Sequence, residues 1–316
     1  MTRYVARRLA FAAFLVVAVS SGSFVLARLA PGDFVAGSLG INARPETIER
    51  ERARYGLDKP IAAQYRQWLA NVVRLDFGTS LLYDRPVREL VPERAANTAI
   101  LAVTGLTLAT LAGLLLGSVS ATRRGGVLTG AIRAFSVVFL SLPPLLTSLF
   151  LVFLAARTGW FPISGIRSSS SSPAGSTLDL LHHLVVPACA LALPLAALFE
   201  RLQSQAMREV IGERFVLAAS ARGVPWSRIV WRDALKAALR PVAAVYGLVV
   251  GTLLSGSFAV EVITAWPGLG SLMLDALRAR DVYLVAGCAG AGAVFLAVGT
   301  LVSDLALAMV DPRARE

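Results

Sequence analysis

The side chains that could do chemistry are few, and their spacing decides which chemistry is open to them. The two histidines, His182 and His183, are adjacent, and successive residues on a helix are turned about 100° apart, so their rings diverge. Metal ligands on one helix favour i, i+4 spacing, which puts both on one face; an adjacent pair suits hydrogen bonding at an interface better than a metal. The two cysteines, Cys189 and Cys288, fall inside apolar runs, where a thiol acts as a small buried hydrophobe and not as half of a disulfide. No Ser/His/Asp or Cys/His arrangement assembles from these residues. The two lysines, Lys59 and Lys236, do not follow the glycine that a G-x-x-x-x-G-K-[ST] phosphate loop requires. No catalytic, cofactor-binding or metal-ligating residue is therefore expected on this chain, and it carries no P-loop ATPase of its own.

Glu261 and Asp304 sit at apolar runs. Glu261 lies twenty positions after Pro241, which is ~30 Å along a helix. With Pro241 at the inner surface of a bilayer, Glu261 is near the outer one, where a carboxylate costs far less than the ~2.5–3.5 kcal/mol of the bilayer centre. That position suits an outer gate or a cap better than a proton relay. The segment Trp266-Pro267-Gly268-Leu269-Gly270 follows as a turn, its tryptophan suited to the membrane interface. Asp304 lies inside the last apolar run, as a functional acid or as a structural pair near the surface.

The elements that must position these residues are membrane spans. The chain is 316 residues long, 56% hydrophobic and 16% charged, with a mean hydropathy of +0.65. That is too apolar for an ordinary soluble domain. Apolar runs at residues 9–26, 95–118, 134–156, 184–202, 242–263 and 282–310 are each near the ~20 residues that cross ~30 Å of hydrocarbon as a helix. The first follows Arg3, Arg7 and Arg8 like a signal peptide, but it is long, and no small-residue cleavage site follows; a retained span is expected. Pro143-Pro144 should kink or break the third run, and Pro187 and Pro194 stand in the fourth.

The net charge of +11 could suggest nucleic acid, but arginine accumulates in the cytoplasmic loops of membrane proteins, and no nucleic-acid partner is expected. The N-terminal arginines, Arg123, Arg124 and Arg133, and the run from Arg201 to Arg240 alternate with weakly charged connections. These basic segments should face the cytoplasm, so that both termini lie inside and residues 31–94 and 157–183 outside. Within the first outer segment, residues 44–55 and 61–75 read as short helices.

One polar stretch stands out, residues 209–241, between two apolar runs and dense in arginine. An Ala-rich helical piece meets Gly223, and Pro225 opens a second short helix.

In order along the chain, these residues resemble the membrane subunits of ATP-binding-cassette importers that work with a binding protein, specifically the peptide/nickel branch. The resemblance rests on Arg7-Arg8-Leu9, Leu29-Ala-Pro-Gly-Asp33, Tyr55-Gly-Leu-Asp-Lys-Pro60, Asp76-Phe-Gly78 with Ser80, Arg85-Pro86-Val87, and Gly159-Trp-Phe-Pro162. It continues through Glu261 and Trp266-Pro-Gly-Leu-Gly270 to Asp275-Ala276, Arg280-Asp281 and Asp311-Pro-Arg313. Ala219, Ala221, Arg222 and Gly223 stand in the Ala-x-Ala-(Lys/Arg)-Gly core of that family's coupling loop. Leu217 stands where the general motif has Glu, Phe34 where a proline is usual, and Ala308-Met-Val310 where a tyrosine is usual.

The resemblance implies an all-α permease of the type I importer fold with about six transmembrane helices, in a bacterial inner membrane. Residues 1–30 would hold the first span, 31–94 an extracytoplasmic segment, 95–310 the transmembrane domain with a coupling loop at 203–241, and 311–316 a cytoplasmic end. It implies a second homologous permease, two ATPase subunits carrying ATP and Mg, and an extracytoplasmic binding protein as partners, besides the lipid bilayer. Ala219, Ala221, Arg222, Gly223, Pro225, Trp226 and Ile229 would couple to an ATPase, with Trp226 and Ile229 as its apolar anchor. Pro143, Pro144, Glu261, Trp266, Pro267 and Gly268 are candidates for the path or its gate. A peptide is the expected solute and nickel the alternative; a stand-alone secondary transporter would need more charge at mid-membrane than these spans hold.

Overall fold

The computed structural model describes residues 2–39, 44–123, 125–166 and 177–310; the side chains at 2–6, 252, 254–256 and 302–310 lie outside that description. In chain order the helices are α1 (Thr2–Leu29), α2 (Phe34–Leu39), α3 (Pro45–Arg54), α4 (Ile61–Val72), α5 (Val87–Thr122), α6 (Val127–Ser141), α7 (Pro144–Thr158) and α8 (Thr177–Ile211). There follow α9 (Arg214–Ala221), α10 (Trp226–Arg228), a π-helical turn at Ile229–Ala234, α11 (Leu235–Ala238), α12 (Arg240–Ile263), α13 (Leu269–Ala279) and α14 (Val282–Val310). Among the described residues the only strand-like pairing is a bridge between Thr79 and Pro86. The all-α expectation holds, for a physical reason: in hydrocarbon a helix satisfies every backbone polar group within its own segment.

Among the described residues four helices are long and apolar enough to cross a membrane, in α1, α5, α8 and α14, and the number rises to six if two bent pairs each count as one span. The run at residues 134–156, expected to be kinked or broken, is broken: with its flanks it forms one of these bent pairs. Pro143-Pro144 does not merely kink it: α6 and α7 diverge by 112°, and each arm of 15 residues is ~22 Å long, short of the ~30 Å core. Proline at the start of α7 lacks the N–H that would continue the helix, and the residue before it is held extended. By contrast Pro187 and Pro194 are absorbed within the continuous α8.

The chain forms two compact units. One comprises Met1–Thr98 with Pro267–Ala297, the other Ala99–Trp266 with Val298–Glu316. In the first, the apolar face of α4 holds the segment between α1 and α5 in place. Trp68 stacks on Phe24 of α1 with ring centroids 5.0 Å apart, Val282 and Ala286 of α14 join the cluster, and Tyr65 Oη donates to Ser21 Oγ at 3.0 Å. Burying each such aromatic contributes about 1.5–3 kcal/mol. The Leu29-to-Asp33 segment is fixed by its last residue: Asp33 Oδ1 accepts from the Ala36 N–H at 2.9 Å, capping α2, and Oδ2 accepts from Arg52 Nε at 2.6 Å. Burial pushes the Asp33 carboxyl up, but the Ala36 N–H, Arg52 and Arg28 outweigh it, and the group sits below its usual range.

In the second unit, α5 and α8 approach closely because Gly113 and Gly117, spaced i, i+4, put no side chain between them. A methyl group on Gly117 would stand 2.7 Å from Gln203 Cβ, and one on Gly113 would collide with Phe199 Cβ. The histidines at the start of α8 are each held by a backbone carbonyl: His182 Nε2 lies 3.0 Å from Trp160 O, and His183 Nδ1 lies 2.9 Å from Asp179 O. Cys189 and Cys288 are free thiols. The expected Asp311-Pro312-Arg313 ending and the side chain of Asp304 lie outside the described residues.

Candidate coupling loop and path residues

The polar stretch between α8 and α12 folds as a small unit with a core of its own. α9 runs over the Ala-rich piece and stops at a left-handed residue: Gly223 has φ +79°, its N–H donates to Ser220 O at 2.9 Å, and the Val224 N–H reaches back to Ala219 O at 3.2 Å. This is the double hydrogen bond that closes a helix end, and only glycine takes that φ without strain from a Cβ. Val224, the residue past the stop, packs with Val216, Ala219 and Ile229. Pro225, with φ −56° and ψ 136°, then begins the return through α10, the π turn and α11. At Leu239 the direction changes by 50° into α12, and Pro241 occupies its first turn.

The loop core is tied to α8. Val230, Ala234 and Ala238 on the returning helix pack against Ala206 and Met207 of α8, with Ala121 of α5 at the edge. The loop thus rests on the last turns of α8.

Ile229 needs correction as an anchor for a partner. It is 1% exposed and belongs to the loop's own core, as does Ala219. The π turn that begins at Ile229 sets which side chains face out. Trp226 and Trp231, each nearly half exposed, stand outside with Phe215 and Leu217. Ala221, Arg222, Gly223 and Pro225 are exposed, and so are Arg214, Arg228 and Arg232. The result is an apolar patch in a basic surround. Sequence reading missed Trp231, Phe215 and Leu217, because only the loop's core decides which apolar residues of a short helix are left outside.

The path candidates separate. Pro143 and Pro144, at the break between α6 and α7, line an apolar cleft of about 630 Å³ with Leu191, Pro194 and Leu195 of α8 and Leu253 of α12. Glu261 and Trp266 do not lie at a wet surface, as expected of an outer gate and an interfacial aromatic: both are 0% exposed. Trp266 follows the stop of α12, where its N–H donates to Glu261 O at 2.9 Å and Ala265 takes φ +47°. The ring is buried in the cluster that Val260 of α12 forms with Leu101 of α5 and Leu184, Ala188 and Leu191 of α8. Leu191 and Leu253 of the same cluster also line the cleft. Pro267 and Gly268 belong to the other compact unit, where Pro267 O accepts from Asn97 Nδ2 at 2.8 Å and Gly268 starts α13.

One buried acid was missed altogether. Glu200, 3% exposed in α8, accepts from Ser120 Oγ of α5 at 2.7 Å and Ser136 Oγ of α6 at 2.5 Å. It stands where the apolar part of α8 gives way to Arg201 and the polar run beyond it, and the two serines that satisfy it are 80 and 64 positions away.

Helices, loop and cleft can be set beside known proteins. Residues 113–316 match the family described as binding-protein-dependent transport system inner membrane component, and residues 1–90 match the N-terminal part of the same transport systems' membrane component. The chain belongs to this family. As a member it is a multi-pass inner membrane protein and a transport subunit. Among its relatives is the oligopeptide transport system permease protein AppB of Bacillus subtilis (strain 168), 32% identical, the match covering 99% of each chain. A Brucella abortus (strain 2308) protein named as a peptide transport system permease is 33% identical over 100% of this chain and 99% of its own.

Proposed function

We infer that this chain is the permease subunit of an ATP-driven importer of peptides. One observation carries the reading: relatives named as oligopeptide or peptide permeases match it from end to end at 31–33% identity. The physical features agree with it. A chain without a P-loop must draw its energy from another chain, and the exposed Trp226 and Trp231 among arginines offer an anchor to an ATPase groove of acidic rim.

In this reading the basic segments face the cytoplasm, with both termini inside. Two ATPase subunits bind ATP and Mg and close on it; the loop around Gly223 carries that movement into α8. A second, homologous permease supplies the other half of the path, and a binding protein delivers peptide to the outer face. The Pro143–Pro144 cleft is one wall of the path, apolar enough to pass varied side chains without holding any of them.

The test is uptake by proteoliposomes holding the complete transporter and its binding protein. Dipeptide uptake should require internal ATP and ignore a proton uncoupler. Uptake that collapses with the uncoupler and persists without ATPase subunits would overturn the reading in favour of a secondary transporter.

A further inference from the structure

The region where α8 meets α5 and α6 holds more polar groups than its present arrangement satisfies. Glu200 is fully engaged there, bonded to Ser136 and Ser120. One turn further along α8, Gln203 is 0% exposed, and neither Oε1 nor Nε2 has a hydrogen-bond partner. It stands against the Gly117 turn of α5, whose carbonyl Ser120 Oγ also reaches at 3.4 Å. On α6, two turns before Ser136 and on the same side, Thr129 Oγ1 is likewise buried and unpartnered; so is Ser118 Oγ on α5. Buried amides and hydroxyls are normally bonded, and an unbonded one raises the energy of the state that contains it.

The place of these groups in the fold gives the imbalance a use. Glu200 lies between the two moving parts of the proposed transporter. Toward the loop, α8 continues through Met207, on which the coupling loop packs. Toward the cleft, α8 presents Leu198, Leu195 and Pro194, and α6 runs from Ser136 to the break at Pro143. The Glu200–Ser136 bond therefore pins α6 to α8 between loop and cleft.

We propose that Glu200 and Gln203 form a hydrogen-bond latch with two registers. In the register seen, Glu200 holds Ser136 and Gln203 is unbonded. In the other, α6 shifts along α8, Gln203 takes up hydroxyl partners on α6, and the broken α6–α7 pair changes its pose at the cleft. Glu200 and Gln203 are positioning residues: they touch no substrate, and act by setting where α6 stands. The two arrangements differ in which buried groups are paired, which is the kind of two-state element that can pass a movement on. The inference rests on the transport reading above.

The test uses the complete transporter in proteoliposomes, with uptake and ATP hydrolysis measured together. Gln203→Leu removes an unbonded buried amide, so a purely structural role predicts equal or greater thermal stability and unchanged transport. The latch predicts that the variant stays folded but that peptide moved per ATP falls about tenfold, in the range of known coupling between sites. Ser136→Ala should lower the same ratio, and Glu200→Gln, which can still bond both hydroxyls, should keep it within about twofold of wild type. A stable Gln203→Leu transporter with the wild-type ratio overturns the latch. Absence of ATP-dependent uptake in the wild-type complex overturns the transport reading instead, so the two failures are distinct.

Discussion

Ser80 Oγ donates to Asp281 Oδ2 at 2.6 Å across 201 positions of sequence. The same carboxylate accepts from the Leu82 N–H at 3.1 Å, and its other oxygen accepts from the Leu284 N–H at 3.1 Å, capping α14. Asp281 is 0% exposed and Ser80 1%. One side chain thus starts the last helix and fastens the segment that leads into α5. Replacing it with alanine removes a cap and strands a hydroxyl and an N–H, so Asp281→Ala should cost about 2–4 kcal/mol. Ser80→Ala should cost about 1–2 kcal/mol, because it leaves the cap in place. Denaturant unfolding in detergent micelles would measure both, and equal effects would contradict the dual role.

Asp33 predicts a pH dependence in the same unit. Its folded carboxyl is held below the ordinary 3.8, so its stabilisation is fully present above that value and is lost as pH falls through the lower, folded one. Asp33→Asn should therefore be less stable than wild type at pH 7, and the difference should close only below about pH 4. Thermal scans of both proteins across this range would show it; a gap that persists at low pH would mean that charge is not what Asp33 supplies.

Contact between α5 and α8 depends on absent side chains. Gly113→Val should destabilise by about 1–3 kcal/mol through overpacking against Phe199 and Ala196. Gly130→Ala, where an added methyl meets nothing within 4 Å, should be neutral or slightly stabilising through helix propensity. Comparing the two by unfolding separates close packing from any general intolerance of glycine replacement.

How far the sequence could be read follows from how local each feature is. The coupling loop was legible: an alanine-rich run, a glycine to stop it and a proline to restart are local signals, and α9, Gly223 and Pro225 follow them. The same holds for α3 and α4, bounded by Pro45, Gly56 and Pro60. What was not legible depends on contacts between distant segments. Ile229 looked like an outward anchor because nothing nearby reveals that Val216 and Ala219 will cover it. Trp266 looked interfacial because it precedes Pro-Gly, but residues of α5, α8 and α12 bury it. Glu200 passed unnoticed because, beside Arg201 at the start of a polar run, it reads as an ordinary surface acid, and nothing local tells of two serines on other helices. At Pro143 a kink or break was legible from the two prolines, but its 112° angle was not, since no local signal fixes the direction in which the chain resumes.

Gly223 offers a further prediction on the loop. Its φ of +79° is the obstacle to a side chain, since no atom lies within 4 Å of where a Cβ would be. Gly223→Ala should therefore strain the stop by about 1–2 kcal/mol without any clash. The transporter should still insert, with lowered uptake and loop amides that exchange faster with solvent; unchanged exchange at Val224 would show that the stop does not need glycine.

The most direct test of the account concerns the outward face of that loop. Trp226→Glu with Trp231→Glu places two carboxylates on an exposed patch and leaves the buried core of Val216, Ala219 and Ile229 intact. Buried tryptophan anchors at interfaces contribute about 2 kcal/mol or more each, so ATPase affinity should fall on the order of thirtyfold per residue. The measurement is co-purification of the ATPase subunits with the membrane-inserted variant, alongside ATP-dependent peptide uptake. Loss of both, with normal insertion, is the predicted result; a variant that retains its ATPases and transports like wild type would contradict the claim that this loop is where the energy enters.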